Sequence, residues 1–410
     1  MRILYLTQYF DPEPIGKTGS FVRALKARGH DVEVVTGFPN YPGGQVYDGY
    51  KVRAHRAEMV GDVEVHRVAI YPSHDRSSLR RALNYLSFVA SAALYGIFRA
   101  RRFDVIYAYP PPTVGLAAAL VGFFRRRPFV QDIQDLWPES VTTSGMAGAS
   151  RMGALLGAMC RLVYRRATRI VAQSVGMAAA IAGRGVPREK IDVIFNWADE
   201  ETAKPLGTLD LDHFGMNGKF NFVYGGNLGR MQGLDTLIRA AREAARQAPE
   251  IQLILIGGGV DEPNLRALVD ELSATNVRIH PGVPKDQIGD LFAAADVLTL
   301  HLKDIPLFAF TIPQKTQFYM AVGRPILIAV PGEAAAMVTD AGAGIAAHPE
   351  DVEAVADAMV RMSKMPREEL AAMGARGQEA YRELYSLEAG INATIATLES
   401  ATAGRDLRRL

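Results

Sequence analysis

The stretch Phe222 to Asp235, FVYGGNLGRMQGLD, decides how this chain is built. Phe220, Phe222, Val223 and Tyr224 form an apolar run that reads as a strand, Gly225 and Gly226 read as a turn, and Leu234, Leu237, Ile238 and Ala241 recur at helical spacing after Gly233. Glycine lets backbone approach a ligand closely, and the free amides and positive dipole end of a helix start suit an anion. The turn reads either as a phosphate cradle or as an ordinary strand-to-helix connection, and the surrounding order of elements has to decide.

A chain of 410 residues, 49% of them hydrophobic, is long enough for two or three domains with substantial cores. The formal net charge of +2 gives no global attraction to nucleic acid, which is not expected as a partner. Cys160 is the single cysteine, so neither an internal disulfide nor a cysteine-rich metal site can form, which suits a reducing cytoplasm. The opening MRILYLTQYF runs straight into a strand pattern without the regions of a signal peptide, and export is not expected.

From the N-terminus, a strand at Ile3 to Leu6, a loop with Pro12, Pro14 and Gly16, a helix at Gly19 to Arg28 and a strand at Asp31 to Thr36 make a βαβ unit. The fragment GKTG at Gly16 to Gly19 is no P-loop, because Asp11 stands where the first glycine is required. As a flexible loop at a strand's carboxyl end, Gly16, Lys17, Thr18 and Gly19 read either as a phosphate contact or as a plain connection. Residues 37–78, rich in Pro, Gly and Tyr, read as an excursion from the sheet, although Val63 to Ala69 is strand-like.

In residues 79–102, Leu79, Leu83, Leu86, Ala90, Leu94 and Ile97 recur at helical spacing, with Arg76, Arg80 and Arg81 before them and Arg99, Arg101 and Arg102 after. The uncharged part, Leu83 to Phe98, falls short of the ~20 apolar residues a spanning helix needs. It fits a helix lying in a membrane interface, or a core helix with solvated ends. Helices ending in Arg125, Arg126 and Arg127 and in Arg165 and Arg166 tip the balance toward the membrane, although the dipole favours cations at helix ends whatever the function.

The strand Phe129 to Ile133 leads into Gln134, Asp135, Leu136, Trp137, Pro138 and Glu139, at the edge where open α/β sheets bind ligands. Asp135 and Glu139 are the first candidates for acid, base or hydroxyl-orienting groups, with helix capping and a Trp-Pro packing plug as the plainer reading. After strands at Arg169 to Gln173 and Asp192 to Phe195, the segment Glu200 to Gly218 reads as a linker. The second half then repeats the plan, with strands at Phe220 to Tyr224, Gln252 to Ile256, Val277 to His280, Asp296 to Leu302, Pro325 to Val330 and Gly344 to Ala347. Gly257, Gly258 and Gly259 repeat the strand-to-glycine transition, and a GxGxxG fingerprint is missing, which argues against a dehydrogenase.

YFDPE at Tyr9 to Glu13, GFPNYP at Gly37 to Pro42, QDLWPES at Gln134 to Ser140, NWAD at Asn196 to Asp199, GGNLGRMQGLD from Gly225 and IPQKTQFYMAVGRPI at Ile312 to Ile326 occur in this order. The set resembles the retaining GT-B glycosyltransferases of family 4, in their bacterial surface-polysaccharide, fucosamine-transferase-like branch. The resemblance implies an α/β chain of two Rossmann-like domains whose parallel sheets face a central cleft. These would be residues 1–199 for the acceptor and 219–385 for the nucleotide-sugar, joined by linker 200–218, with a last helix in 386–410 crossing back to the first domain. No metal and no cofactor is implied.

Carried onto this sequence, the family assigns Gly16, Gly19, Asn196, Gly225, Gly226, Asn227, Gln232, Gly258, Gln314 and Thr316 to the donor, and Trp137, Glu139 and Tyr41 to the acceptor. Asp135, Arg230 and Lys315 are its catalytic candidates. The chain also departs from the family. Asn227 and Gln232 replace an Arg and a Lys that hold the diphosphate, leaving Arg230 and Lys315 as substitutes, and Phe310 and Phe318 replace a pair of Glu. The implied partners are a UDP-sugar, a polyprenyl diphosphate-linked sugar acceptor and an anionic membrane surface at the inner face of the cytoplasmic membrane. A GT-B epimerase and a non-catalytic GT-B scaffold are the alternatives.

Overall fold

The computed structural model describes residues 1–73, 77–139 and 150–403. The chain forms two compact units, Met1–Ile194 with Ile391–Leu410, and Phe195–Gly390. Arg76, Ser140 and the arginine-containing tail after Ala403 lie outside the described residues.

In the first unit the strands are β1 (Arg2–Thr7), β2 (Asp31–Gly37), β3 (His55–Val60), β4 (Val63–Val68), β5 (Val105–Tyr109), β6 (Phe129–Ile133), β7 (Arg169–Ala172) and β8 (Ile191–Val193). They lie in the order β3-β4-β2-β1-β5-β6-β7-β8. All neighbours are parallel except the β3–β4 hairpin. Central strands such as β5, VIYAY, are buried throughout, as covered parallel strands must be. The expected excursion at 37–78 instead extends the sheet: β4 pairs with β2 in register Val34 with Val65, and β3 forms the edge. Arg67, fully buried, ties this hairpin inward by donating to Gly37 O and Asp11 O.

The helices of this unit are α1 (Gly19–Ala27), α2 (Ser78–Phe98), α3 (Pro112–Arg125), α4 (Ser150–Arg166) and α5 (Val175–Ala182). α2 packs on α3, and α3 on α4. Phe88, Ala92 and Tyr95 bury one face of α2, while Leu79, Leu83, Leu86, Leu94 and Phe98 stand exposed on the other. Leu120, Phe123 and Phe124 of α3 and Leu155 and Leu162 of α4 are exposed as well. The core-helix reading therefore holds for one face only. α2 ends at Phe98, short of 102, because the amides of Arg99 and Ala100 both return to Tyr95 O. Arg125, expected in a basic helix end, turns its guanidinium onto the carbonyls of Gly96 and Ile97 at the end of α2 and of Ala100 just past it, and caps that helix. Among the described residues no helix is long and apolar enough to cross a membrane.

The second unit holds β9 (Phe220–Gly225), β10 (Ile251–Ile256), β11 (Val277–His280), β12 (Val297–His301), β13 (Ile326–Ala329) and β14 (Gly344–Ala346) in the parallel order β11-β10-β9-β12-β13-β14. β9 lies between β10 and β12 and is buried along its length, so its loop opens at the middle of the carboxyl edge. Residues 200–218, read as a linker, belong to this unit. The Asp290 carboxylate accepts the amides of Leu206, Gly207, Thr208 and Leu209, and these bonds hold its carboxyl down at about 2.

Candidate active site

In the second unit, the loops after β9 and β10 lie backbone to backbone. The Gly226 amide donates to Ile256 O, the Leu228 amide to Gly258 O, and the Asp261 amide to Leu228 O. Gly226 (φ 135°) and Gly257 (φ 144°) take backbone conformations that side chains disfavour. A Cβ on Gly257 would lie 1.8 Å from Gly226 O, and one on Gly226 would lie 2.5 Å from Lys315 Cε. The missing side chain at Gly226 is thus the space that Lys315 fills.

Lys315 stands in the first turn of the helix Gln314–Val322. Its ammonium donates to the Tyr224 hydroxyl and lies 3.9 Å from the centre of that ring. Burial pulls it down to about 7, and among the described residues no carboxylate pairs with it. Tyr319 fixes the other side of the turn, accepting the Gly225 amide at 3.1 Å. A cation held in a glycine turn beside a helix start, without a protein anion, is equipped to meet a phosphate.

The remaining donor candidates are placed unevenly. Asn227 and Arg230 are exposed in the same loop, and Gly258 and Gln314 are exposed beside it in sequence and sheet order. Gln232 carries a buried Oε1 with no partner among the described residues, and its carbonyl accepts from His301 Nδ1 at 2.8 Å. Thr316 is fully enclosed, and its buried Oγ1 has no partner among the described residues. Asn196 is half-buried in the segment that opens this unit. Phe318 lies against Phe292, which in turn faces Gly225, so the position of the family's second Glu is part of the apolar support of the turn. Phe310 ends the short turn Pro306–Phe310.

In the first unit the GKTG loop is anchored to the sheet. Lys17 is buried against the Asp132 carboxylate, which also accepts from the Tyr107 hydroxyl at 2.6 Å. The Tyr5 hydroxyl donates to Lys17 O, and the Gly19 amide is engaged by Asp11 at 2.9 Å. Lys17 and Gly19 therefore hold the loop, and Gly16, packed on the Tyr109 hydroxyl, is its exposed glycine.

Asp135 lies just past β6, in a recess open to solvent yet crowded by protein, which pushes its carboxyl up. Among the described residues no cation or hydrogen bond offsets that push. A carboxylate so placed is a proton acceptor of raised basicity. Trp137 packs nearby, edge-on to Tyr85 of α2 with ring centres 5.7 Å apart. Tyr41 lies against Tyr9 at 5.1 Å, and its amide is held by Glu13, whose carboxylate also takes the amides of Phe10 and Asn40. Glu139, expected at the acceptor, is exposed and paired with Arg184 at 2.6 Å, and Arg184 also donates to Trp137 O, so the pair braces the loop. Among the described residues no group of three or more His, Cys, Asp or Glu is placed to hold a metal ion.

Reading the sequence missed Tyr224, Tyr319 and His301 around the donor turn, and Tyr9 and Tyr85 beside Asp135. Tyr224 and Tyr9 each sat inside a quoted motif and could have been found by asking which side chains a strand end points at its loop. Tyr85 was hidden in a leucine-rich helix.

Known proteins match this architecture at both levels. Residues 17–197 match the glycosyl transferase 4-like domain and residues 219–365 the glycosyl transferases group 1 domain. The chain is 27% identical over 388 residues to the putative colanic acid biosynthesis glycosyl transferase WcaI of Escherichia coli (strain K12), covering 90% of this chain and 93% of that one. It is 26% identical over 325 residues to the probable glycosyltransferase WbjE of Pseudomonas aeruginosa, covering 76% and 80%. Among solved structures, Anabaena HepE in complex with UDP superposes with a TM-score of 0.66 at 18% identity, over 98% of this chain and 100% of that one. The trehalose 6-phosphate synthase of Burkholderia multivorans superposes with 0.73 at 14% identity, over 100% and 98%. With both halves matched and both sheets in place, the chain is a glycosyltransferase of GT-B fold, a glycosyl transferase 4-like domain followed by a glycosyl transferases group 1 domain.

Proposed function

We propose that this glycosyltransferase moves a hexosyl unit from a UDP-sugar to a hydroxyl of a lipid-linked saccharide, with retention at the anomeric carbon, in bacterial surface polysaccharide biosynthesis. The observation that carries the donor side is the half-buried ammonium of Lys315, held by a phenol with no carboxylate partner among the described residues, against the Gly225–Gly226 turn. HepE, which has the same fold, was solved with UDP and with UDP-glucose, and WcaI is named for colanic acid biosynthesis. Both likenesses support this reading. Phe310 and Phe318 in place of two Glu favour a donor sugar with fewer hydroxyls to satisfy, deoxy or N-acetylated.

In the reaction the bond from the anomeric carbon to the β-phosphate oxygen breaks as the acceptor hydroxyl forms the new one. Charge developing on the leaving diphosphate is met by Lys315, Arg230 and the turn amides, which need little reorganisation. The hydroxyl proton passes to Asp135. On the acceptor side, ten large apolar side chains exposed on α2, α3 and α4 support docking on a membrane. Arginines that remain free of structural roles would add attraction to anionic lipid. The test is Asp135→Asn, which should slow transfer about a hundredfold while leaving UDP affinity unchanged. Near-normal turnover would remove Asp135 from the chemistry.

A further inference from the structure

Four aromatic side chains from four separate segments converge, and one of them, Tyr85, faces the field of Asp135. Tyr9 follows β1, Tyr41 follows β2, Trp137 follows β6, and Tyr85 comes from α2. The pairs Tyr9–Tyr41 and Tyr85–Trp137 are in ring contact. The Tyr9 and Tyr85 side chains lie close enough to influence each other's hydroxyls, which joins the two pairs. Tyr85 also lies within the field of both the Asp135 carboxylate and the Arg81 guanidinium. Tyr9 and Trp137 are buried, whereas Tyr41 and Tyr85 are half-buried.

The rings are fixed from behind. Gln8 Nε2 donates to the Tyr9 hydroxyl at 3.3 Å and to Asn84 Oδ1 at 2.6 Å, and Asn84 Nδ2 donates to Tyr71 O at 2.7 Å. Glu13 holds the Tyr41 backbone. A rigid aromatic wall with phenol hydroxyls, next to a carboxylate that has no protein partner among the described residues, matches a ligand with flat C–H faces and a rim of hydroxyls.

We propose that Tyr9, Tyr41, Tyr85 and Trp137 form a subsite for one pyranose ring of the acceptor, seated on Tyr85 and Tyr41 with a hydroxyl at Asp135. The proposal rests on the glycosyltransferase reading and names the acceptor's sugar class. Tyr85 adjoins Leu86, which faces outward on the exposed apolar stripe of α2, so one helix bears both the sugar-facing ring and the lipid-facing side chains.

The chain has two tryptophans, and Trp197 packs on Gly390 in the other unit, so Trp137 reports locally by fluorescence. The full-length protein is titrated with methyl pyranosides of glucose, galactose, mannose, fucose and N-acetylglucosamine, with sorbitol as an acyclic control. At least one pyranoside should shift tryptophan emission saturably, and sorbitol should not. Tyr85→Ala should weaken that pyranoside about tenfold, and Tyr85→Phe, which keeps the ring, about threefold or less. The melting-temperature rise caused by UDP should be the same in both variants as in the wild type. A UDP response with no saturable pyranoside response in the wild-type protein overturns the subsite and leaves the donor assignment standing. An unchanged pyranoside affinity in folded Tyr85→Ala overturns it equally. Loss of the UDP response alone strikes the donor assignment and not the subsite.

Discussion

The ammonium of Lys315 is bonded to the hydroxyl of Tyr224 and rests 3.9 Å above its ring, a cation held by a phenol rather than by a carboxylate. A ring face stabilises a cation by about 0.5–2 kcal/mol, which does not repay burial of an ammonium. Hence the low value of about 7. A nucleoside diphosphate at this position would supply the missing charge.

That deficit has a signature in pH. At about pH 8 UDP has lost its last phosphate proton, whereas Lys315, down at about 7, is mostly neutral. Binding of the dianionic end then draws a proton onto Lys315, so the measured enthalpy should differ between phosphate and Tris buffers. Affinity should fall as pH rises above 7, approaching about tenfold per pH unit. Identical enthalpies in the two buffers at that pH would show that Lys315 does not meet the diphosphate.

His301 ends β12 and is held in one tautomer by its partners. Nδ1 donates to Gln232 O at 2.8 Å, and Nε2 accepts the Glu350 amide at 3.1 Å. Burial lowers its proton affinity below the ordinary 6.5, with Asp235 and Glu350 opposing and Lys303 adding to the shift. The unfolded chain therefore binds the proton more readily, so the stability contributed by neutral His301 is complete above 6.5 and is lost as pH falls toward the folded value. His301→Asn keeps a donor for Gln232 O and should lose less stability between pH 7.5 and 5.5 in urea unfolding than the wild type. His301→Ala should cost about 2 kcal/mol at neutral pH. Equal acid sensitivity in wild type and His301→Asn would refute the tautomer argument.

Leu86 and Leu94 are 56% and 59% exposed, so replacing both by Ser should leave the melting temperature within about 2 °C. Co-sedimentation with phosphatidylglycerol-containing liposomes should fall clearly. An undiminished bound fraction would exclude the α2 stripe as the docking face, and an unfolded variant would return it to the core.

The donor turn was legible because a buried parallel strand is written as a mostly apolar run, here interrupted only by Asn221, and the glycines after Tyr224 mark where it stops. Asp135 was legible from its place just past the strand FVQDI, at the edge where open α/β sheets bind ligands. Long-range pairings were not. Lys17 looked like a loop cation until the fold brought it to Asp132, 115 positions away, and Glu139 looked free until Arg184 arrived from 45 positions on. β3, HRAEMV, carries too many polar side chains to read as part of the sheet, yet an edge strand needs only one covered face. Helical spacing revealed α2, but no periodicity distinguishes an apolar stripe that is buried from one left exposed.

The measurement closest to the central claim is the melting temperature of the purified protein with and without UDP, in the wild type and in Lys315→Ala. At about a hundred times its dissociation constant, UDP should add ~2.7 kcal/mol and raise the wild-type midpoint by about 5 °C. At the same concentration the Lys315→Ala protein should show a much smaller rise. An equal rise in both proteins, or none in the wild type, would contradict a donor diphosphate held by Lys315 at the Gly225–Gly226 turn.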